Sequence, residues 1–433
     1  MESASINYNG LGDIRTRYGD DELAQNKALV DLYPVKFSER VAVEGVEGWK
    51  KGAFRNGEME SLDIVIILLR HLFSMIASEH RQENTNPFAK MIWADLGTPA
   101  TRDEQSRERA RIILNFINSH YTYNRSIDAW NFLENETMWA SIWEMPAFRL
   151  WDSIVMTLNT ENGTWRRTSV GRGLSLGRYS SVYYAGLEDL GERVSSEFIT
   201  RRDADAREKH QWQAGPHVIL RVRYDAKAPG AQSKSFDQLR VIKVRPYRVE
   251  TMKDANGLEF VGTNRRHFIY FTLVGVVRMK DPAEPGSSDL LRLYGGDGHR
   301  SRMPPALQER VCPEKDWELG ELGWRYILFY ARCPIYGPKD PPRDGTLREY
   351  GTGPEDTYRA IKESRGYIEL EEDEEEVETV VEAEAEKTVE EQPKELEERR
   401  PVDRGFSRTP PRGPRKWLEE ERQNKSKGKQ KKR

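Results

Sequence analysis

One segment in the N-terminal third of the chain is apolar on almost every face of a helix. Between Leu62 and Ile76 the interruptions are few, namely Asp63, Arg70, His71 and Ser74. A surface helix carries one apolar stripe, whereas a helix that is apolar all round is normally buried. At about fifteen residues the segment is also too short to span a bilayer. The sequence therefore predicts a buried central helix over 55–77, with Ser61 capping its first free amides.

The periodicity of the apolar residues changes near residue 160. From 51 to 160 they recur at helical spacing, and from 179 to 335 β-branched and aromatic runs dominate. Helices followed by strands predict an α+β domain over 51–335, in which a helical half (51–160) packs on an antiparallel β-rich half (179–335). The polar residues 1–50 are predicted to form an irregular lead-in with one short strand or helix at 24–33. The predicted strands are His217–Tyr224, Leu239–Val249, His267–Lys280, Asp289–Tyr294 and Trp324–Arg332.

The C-terminal quarter has a different composition. Residues 336–368 are rich in Pro and Gly and predict a linker with one short helix, and 369–433 are first Glu-rich and then basic. Such charge blocks cannot bury enough apolar surface to offset their ordering entropy, so the sequence predicts a disordered tail. The basic end, 412–433, has more than one interpretation. It acts as a nuclear-import signal or binds nucleic acid or another polyanion, or it is a solubilising tail whose charge the preceding acidic block partly neutralises.

Composition excludes several classes of protein. The two cysteines, Cys312 and Cys333, do not make a disulfide framework, and the N-terminal residues do not resemble a secretory signal. Seven scattered histidines give no metal-ligand spacing, so no metal site or cofactor is predicted. With no long apolar segment, the sequence predicts no membrane partner and a cytosolic or nuclear location.

Several short motifs occur in the order typical of one protease family. Tyr326-Ile327-Leu328-Phe329-Tyr330 matches a closing strand, and Asp128-Ala129-Trp130-Asn131-Phe132-Leu133 matches a helical box except that Asn131 replaces a Glu. Residues 268–277 and 286–298 match the strand and hairpin that carry a histidine. On these motifs, residues 50–335 resemble the ubiquitin-specific protease branch of the papain-like cysteine peptidases. The resemblance implies a papain-like α+β fold.

The resemblance also locates the positions where catalytic residues would lie. A cysteine is expected at 57–60 and a histidine at 287–289, and this sequence has neither residue at those positions. A cysteine peptidase needs both, because the thiolate attacks and the histidine transfers the proton. No catalytic residue is therefore predicted. The expected remnant of the cleft comprises Asn56, Glu58, Glu60, Ser61, Ser287 and Asp289.

The resulting functional hypothesis is a non-catalytic binding or scaffold protein. The resemblance implies that its protein partner is ubiquitin, a ubiquitin-like modifier or another protein bound at the former substrate cleft. One alternative is an active cysteine hydrolase with displaced catalytic residues, for which Cys312 and Cys333 are the candidate nucleophiles. A second alternative is a nucleic-acid or polyanion binder that acts through residues 412–433.

Overall fold

The N-terminal segment consists of short helices. The computed structural model describes residues 11–332 except 52–55, 77–80, 82–85, 99–100, 121–126, 160–164, 170–175, 199–200, 203–207, 216, 246, 254–258, 266–268, 282–283, 285–286, 296–302 and 312–316. Helices α1 (Ile14–Tyr18), α2 (Glu22–Asp31) and α3 (Glu39–Gly45) occupy the predicted lead-in. Helix α2 overlaps the short strand or helix predicted at 24–33, whereas the prediction of irregular structure is wrong for α1 and α3. The first two helices are capped by Asp13 and Asp21, because each carboxylate accepts a free backbone N–H of the first turn.

The predicted central helix is confirmed. Helix α4 (Asn56–Ser74) is buried on all sides, and Leu62, Val65 and Leu69 have no exposed surface. It is followed by α5 (Pro87–Trp93), α6 (Arg102–His120), α7 (Ala129–Leu133) and α8 (Glu136–Trp139). Within the described residues, no helix has the length and the hydropathy needed to cross a membrane.

The helical half ends earlier than predicted. The sequence predicts a helical half up to residue 160, but α8 ends at Trp139 and strand β1 begins at Trp151. The aromatic spacing extends the helical pattern past Pro146, whereas the β-branched residues of β1 satisfy their hydrogen bonds by pairing with a neighbouring strand. The predicted boundary at residue 160 is therefore wrong.

The strands form two sheets and a hairpin. In chain order they are β1 (Trp151–Asn159), β2 (Trp165–Ser169), β3 (Val182–Tyr184), β4 (Arg201–Arg202), β5 (Glu208–Ala214), β6 (Ile219–Asp225), β7 (Val241–Val244), β8 (Tyr247–Lys253), β9 (Glu259–Arg265), β10 (Ile269–Arg278), β11 (Leu290–Leu293) and β12 (Arg325–Arg332). The larger sheet has the order β11-β10-β12-β6-β3, with β7 also paired to β10. Because β3 and β6 are parallel, this sheet is mixed, whereas the other strand pairs are antiparallel as predicted.

The smaller elements complete the domain. The second sheet has the order β2-β1-β5-β4, and β8 pairs with β9 alone. The predicted strand Leu239–Val249 is in fact divided between β7 and β8, which belong to different sheets. Short helices connect the strands, namely α9 (Leu176–Tyr179), α10 (Leu190–Ser195), α11 (Phe236–Leu239) and α12 (Pro305–Val311). The described residues thus form an α+β fold, in agreement with the predicted class.

Gly275 allows the central helix to approach the larger sheet closely. A Cβ atom at this position on β10 would lie 2.9 Å from Leu68 Cδ1 of α4, which is too close for an ordinary contact. The helix therefore packs on the face of the sheet to which Gly275 belongs, together with Val277, Leu293 and Phe329. This packing brings the N-terminal turns of α4 to the start of β11.

Candidate functional site

The N-terminal half of α4 meets the start of β11 through one carboxylate. Ser61 Oγ donates a hydrogen bond to Asp289 Oδ2 at 2.6 Å, and the Ala129 N–H of α7 donates to the same oxygen at 2.8 Å. The Lys280 N–H donates to Asp289 Oδ1 at 2.8 Å. The carboxylate therefore links three parts of the fold, namely α4, the first residue of α7 and the segment that follows β10.

This linking carboxylate is removed from solvent. Asp289 is 4% exposed and Ser61 is 2% exposed. A buried carboxylate is stabilised when several N–H and O–H donors point at it, and Asp289 has three. Ser61 lies five residues inside α4, which starts at Asn56, so the prediction that Ser61 caps the helix is wrong. Its hydroxyl instead connects the helical half with the β-rich half.

The other predicted cleft residues lie around this link in different roles. Glu58 is buried and accepts a hydrogen bond from the Ile127 N–H at 3.4 Å. Glu60 is half-buried, and desolvation raises the pKa of its carboxyl group. Ser287 closes its own loop, because its hydroxyl donates to the Asp281 carbonyl at 2.8 Å. Asn56 is the first residue of α4, and its side chain lies outside the described residues.

The start of α7 forms one side of the site. Asp128 caps this helix by accepting from the Asn131 N–H at 2.9 Å, and the Asn131 side chain returns a bond to the Asp128 N–H. Burial raises the pKa of Asp128, and the nearby charge of Asp289 raises it further. Lys280 Nζ donates to the Ile127 carbonyl at 2.8 Å, which fixes the segment that precedes the cap.

Sequence reasoning missed a buried ionic cluster about two turns into α4. Asp63, which is 2% exposed, accepts from Arg109 Nη1 of α6 at 2.6 Å and also forms an ion pair with Arg310 of α12. Arg109 has no exposed surface and donates a further bond to the Val35 carbonyl at 2.8 Å. The sequence places Asp63 near the positive end of the helix, but it gives no signal for these partners.

A second missed feature is the buried guanidinium of Arg70. This side chain is 1% exposed and donates to five backbone carbonyls at 2.5–3.3 Å, those of Ala28, Leu29, Met91, Ile92 and Ala94. Four of these carbonyls belong to the C-terminal turns of α2 and α5, where backbone acceptors lack partners within the helix. Burial lowers the pKa of Arg70 to about 9, so the side chain still carries its charge at neutral pH.

His71 is the adjacent buried polar residue of α4. It is 4% exposed, and its Nε2–H lies 2.8 Å from the Tyr294 carbonyl oxygen, which it meets as a donor. Burial lowers the pKa of His71 from 6.5 to about 4. The imidazole is therefore neutral in the folded protein at physiological pH. It lies two to three helical turns from Ser61 along α4, which is too far to act as its base.

We expect His71 to make folding stability dependent on pH below neutrality. Because its folded pKa is lower than its unfolded pKa, the unfolded state binds more protons between pH 6.5 and 4, and stability falls as the pH drops through this window. The expected loss is about 3 kcal/mol. In His71→Gln the amide still donates to Tyr294 but does not titrate, so urea unfolding at pH 7 and pH 4 should show a correspondingly smaller loss. Parallel pH profiles for the two proteins would contradict the assignment.

The described site holds no complete set of catalytic groups. No group of three His, Cys, Asp or Glu side chains in the described part of the chain has the geometry to hold a metal ion. Cys312, Cys333 and His299 lie outside the described residues. The roles of Asn56, Glu58, Glu60, Ser61, Ser287 and Asp289 as the remnant of a cleft stay a prediction, although the structure does bring Ser61 and Asp289 into contact.

Comparisons with known proteins gave matches among solved structures alone. No model of a known family matches the chain, and neither does any curated protein. The SAGA Ubp8/Sgf11/Sus1/Sgf73 DUB module is 13% identical, with a TM-score of 0.28, over 74% of this chain and 73% of that one. The Saccharomyces cerevisiae PAN2 pseudoubiquitin-hydrolase is 9% identical, with a TM-score of 0.26, over 72% of this chain and 86% of that one.

A further match is a longer module. The Saccharomyces cerevisiae Pan2 pseudoubiquitin hydrolase-RNA exonuclease module, solved with AAUUAA RNA, is 9% identical, with a TM-score of 0.24. The match covers 68% of this chain and 52% of that one. Similarity at this level does not establish a shared fold or transfer a function. The described residues form an α+β domain in which Asp289 is one link between the helical half and the β-rich half.

Proposed function

We propose that this chain is a non-catalytic protein-binding or scaffold protein with a ubiquitin-hydrolase-like domain, and that its ligand is ubiquitin or a ubiquitin-like modifier. The observation that carries the proposal is the burial and hydrogen bonding of Asp289, which lies where the family resemblance expects a catalytic histidine. Its carboxylate is buried and accepts hydrogen bonds from Ser61, Ala129 and Lys280. A structural link at the position where the resemblance expects a proton-transferring base supports the non-catalytic assignment.

The chemistry of acyl transfer supports the non-catalytic part of the proposal. A hydrolase of this class needs an activated nucleophile, a base within hydrogen-bond reach and space for the scissile carbonyl beside both. Ser61 is the described hydroxyl at the start of α4, but it is 2% exposed and already donates to a carboxylate that two backbone amides also occupy. A substrate carbonyl cannot approach it without breaking this network.

The rigidity of the junction supports the binding part of the proposal. The capping box at Asp128, the bond from Lys280 to Ile127 and the bonds to Asp289 hold three segments in fixed positions. A surface that is fixed before association loses less conformational entropy on binding. The ligand class itself is inherited from the motif resemblance at residues 128–133 and 326–330.

The direct test is a calorimetric or NMR titration of the full chain with mono-ubiquitin. We expect saturable binding with a dissociation constant below about 100 µM, which corresponds to about −5.5 kcal/mol. NMR shift changes should centre on the backbone amides of Ala129 and Lys280. An unrelated protein of similar size and charge is the control. If ubiquitin does not bind at high micromolar concentration, the ligand assignment is removed and the scaffold assignment remains.

A second measurement tests the absence of catalysis. The full chain should neither turn over a fluorogenic ubiquitin conjugate nor react with a thiol-directed ubiquitin probe. Labelling that disappears in Cys312→Ala or in Cys333→Ala would show an active cysteine hydrolase instead. Asp289→Asn provides a structural control, because it should weaken the link to Ser61 and lower thermal stability without creating or removing any turnover.

A further inference from the structure

Two arginines beside the site lack a carboxylate partner. Arg223 is half-buried on β6, and its guanidinium carbon lies 6.0 Å from the centre of the Trp130 ring. Arg325 is the exposed first residue of β12 and shares the lining of a shallow pocket with Lys227 and Lys280. Neither arginine forms an ion pair or a side-chain hydrogen bond among the described residues, and Arg223 Nε is buried without a partner.

Arg221, two residues before Arg223 on the same strand, has a counter-ion, although its Nε and Nη1 are also buried without a hydrogen-bond partner. Its Nε lies 3.5 Å from Glu134 Oε1, its Nη2 donates to the Gly177 carbonyl at 3.1 Å, and its guanidinium carbon lies 4.4 Å from the centre of the Trp143 ring. Arg223 has a comparable tryptophan but no equivalent of Glu134. A half-buried cation without a counter-ion favours binding of an anionic group from outside.

Three carboxylates near these two arginines contact other groups and form no ion pair with either arginine. Asp281 pairs with Lys227 Nζ at 2.6 Å, Asp128 caps α7, and Asp225 accepts from the Lys227 N–H at 3.2 Å. The charge of Arg325 reaches Asp128, because it opposes the increase in the pKa of that residue. The two guanidinium groups therefore lie next to the start of α7, and neither forms an ion pair with any of these carboxylates.

The surroundings of the two arginines resemble a protein interface. Trp130 is half-buried, and Tyr183, which pairs with Arg223 in the sheet register, is 45% exposed. Tryptophan, tyrosine and arginine are the residue types that most often dominate binding energy at protein interfaces. We refer to Trp130, Tyr183, Arg223 and Arg325 as the Arg223 surface.

The sheet register fixes the spacing of the two cations. Asp225 and Arg325 are direct partners across β6 and β12, and Arg223 precedes Asp225 by two residues on the same face. Arg223 and Arg325 are thus diagonal neighbours, about 7–8 Å apart at their backbones. In an extended peptide, side chains two residues apart lie on one face at a separation of about 7 Å. The two spacings match.

We propose that the Arg223 surface binds an extended segment of a partner protein that carries two acidic residues at positions i and i+2. One carboxylate pairs with Arg223 and the other with Arg325, while a neighbouring side chain of the segment packs on Trp130 and Tyr183. This inference rests on the proposed function, because the acidic segment belongs to the protein ligand proposed above. It identifies the chemical class of the segment that the surface recognises.

The test is fluorescence anisotropy of the full chain with labelled eight-residue peptides. The probe carries two glutamates at i and i+2 in a glycine–serine background, and the control peptide has glutamine at both positions. We expect the glutamate peptide to bind at least about tenfold more tightly, as charge-assisted hydrogen bonds require, and to weaken in 0.5 M salt. A peptide with glutamates at i and i+1 should bind more weakly than the peptide with glutamates at i and i+2.

Variants identify the surface. Arg325→Gln and Arg223→Gln should each weaken binding of the glutamate peptide about tenfold. Arg40→Gln, which removes an arginine whose side chain is 82% exposed on α3, is the matched control and should bind as the wild type does. Arg325 is exposed, so its variant tests the inference even if the half-buried Arg223 variant folds poorly. Wild-type affinity in the double variant would overturn the inference.

The outcomes separate this inference from the proposed function. If ubiquitin binds and the double variant leaves that binding unchanged, the proposed function stands and the acidic-segment inference is overturned. If the glutamate peptide binds in an arginine-dependent way and ubiquitin does not bind, the inference stands and the ubiquitin assignment is removed. Single-stranded RNA that displaces the peptide and binds more tightly through the same arginines would overturn the inference in favour of a nucleic-acid surface.

Discussion

Arg70→Met is expected to lower the free energy of unfolding by about 3–5 kcal/mol, a value typical of the loss of a buried polar network. The substitution retains the apolar stem but removes all donors to five carbonyls, among them those of Ala28, Met91 and Ala94. Four of the five are carbonyls that end α2 and α5, and the negative ends of both helix dipoles lose a buried cation. Urea unfolding at pH 7 measures the change.

Two further variants separate the causes of this loss. Arg70→Lys keeps the charge but not the planar, forked guanidinium group. It should therefore recover less than half of the unfolding free energy that is lost in Arg70→Met. Arg102→Gln, at an exposed arginine of α6, should change the free energy of unfolding by less than about 0.5 kcal/mol. If Arg70→Met proved no more destabilising than Arg102→Gln, the carbonyls would have to be satisfied by water, and the guanidinium would not hold the helices together.

The elements that were predictable from sequence are those with long, strong periodicity. Helix α4 is apolar all round, and β10 and β12 are nearly continuous apolar runs, which identify them as buried elements before any partner is known. The short helices of residues 14–45 have one or two buried apolar residues each, and two of them are capped by Asp13 and Asp21. Their stability comes from packing on neighbouring helices, α2 on α4 and α3 on α6, and not from a pattern of their own.

Alternation in a strand did not reveal which arginines are buried. The alternating pattern of His217–Tyr224 predicts that its arginines face solvent, yet Arg221 is 2% exposed. It lies on the helix-facing side of β6, a strand between β12 and β3, and its counter-ion Glu134 is 87 residues away in sequence. The two-residue period of a strand shows which side chains share a face of the sheet. Whether that face is buried or exposed depends on what packs against it.

The contacts of the candidate site could not be predicted from local sequence patterns either. Ser61 and Asp289 are 228 residues apart, so no local pattern connects them, and the family resemblance alone indicated that the two regions meet. The resemblance could not supply the hydrogen bonds that join them, because these depend on the exact approach of α4, α7 and β11. Cys312 and Cys333, the alternative nucleophiles, remain in the chain outside the described residues, and so does the predicted tail 369–433.

Asp63→Asn is the second substitution with a large expected effect, about 3–5 kcal/mol of unfolding free energy, because it leaves a buried cation without its counter-ion. The amide has the size of the carboxylate and can accept one hydrogen bond, so the loss reports charge and not packing. Arg109, which has no exposed surface, cannot turn to water, whereas Arg310 is 24% exposed in its side chain and can. Most of the cost should therefore arise at Arg109.

A double-mutant cycle tests this assignment. Asp63→Leu combined with Arg109→Met replaces both charges by apolar groups of similar size and should recover most of the stability lost in Asp63→Asn, since a buried pair is often close to neutral against a hydrophobic replacement. Arg310→Gln, the matched control at the exposed end of the cluster, should cost about 1 kcal/mol or less. If the double variant were as unstable as the sum of its single variants, the two residues would contribute independently. The carboxylate would then stabilise α4 through the helix dipole and not through Arg109.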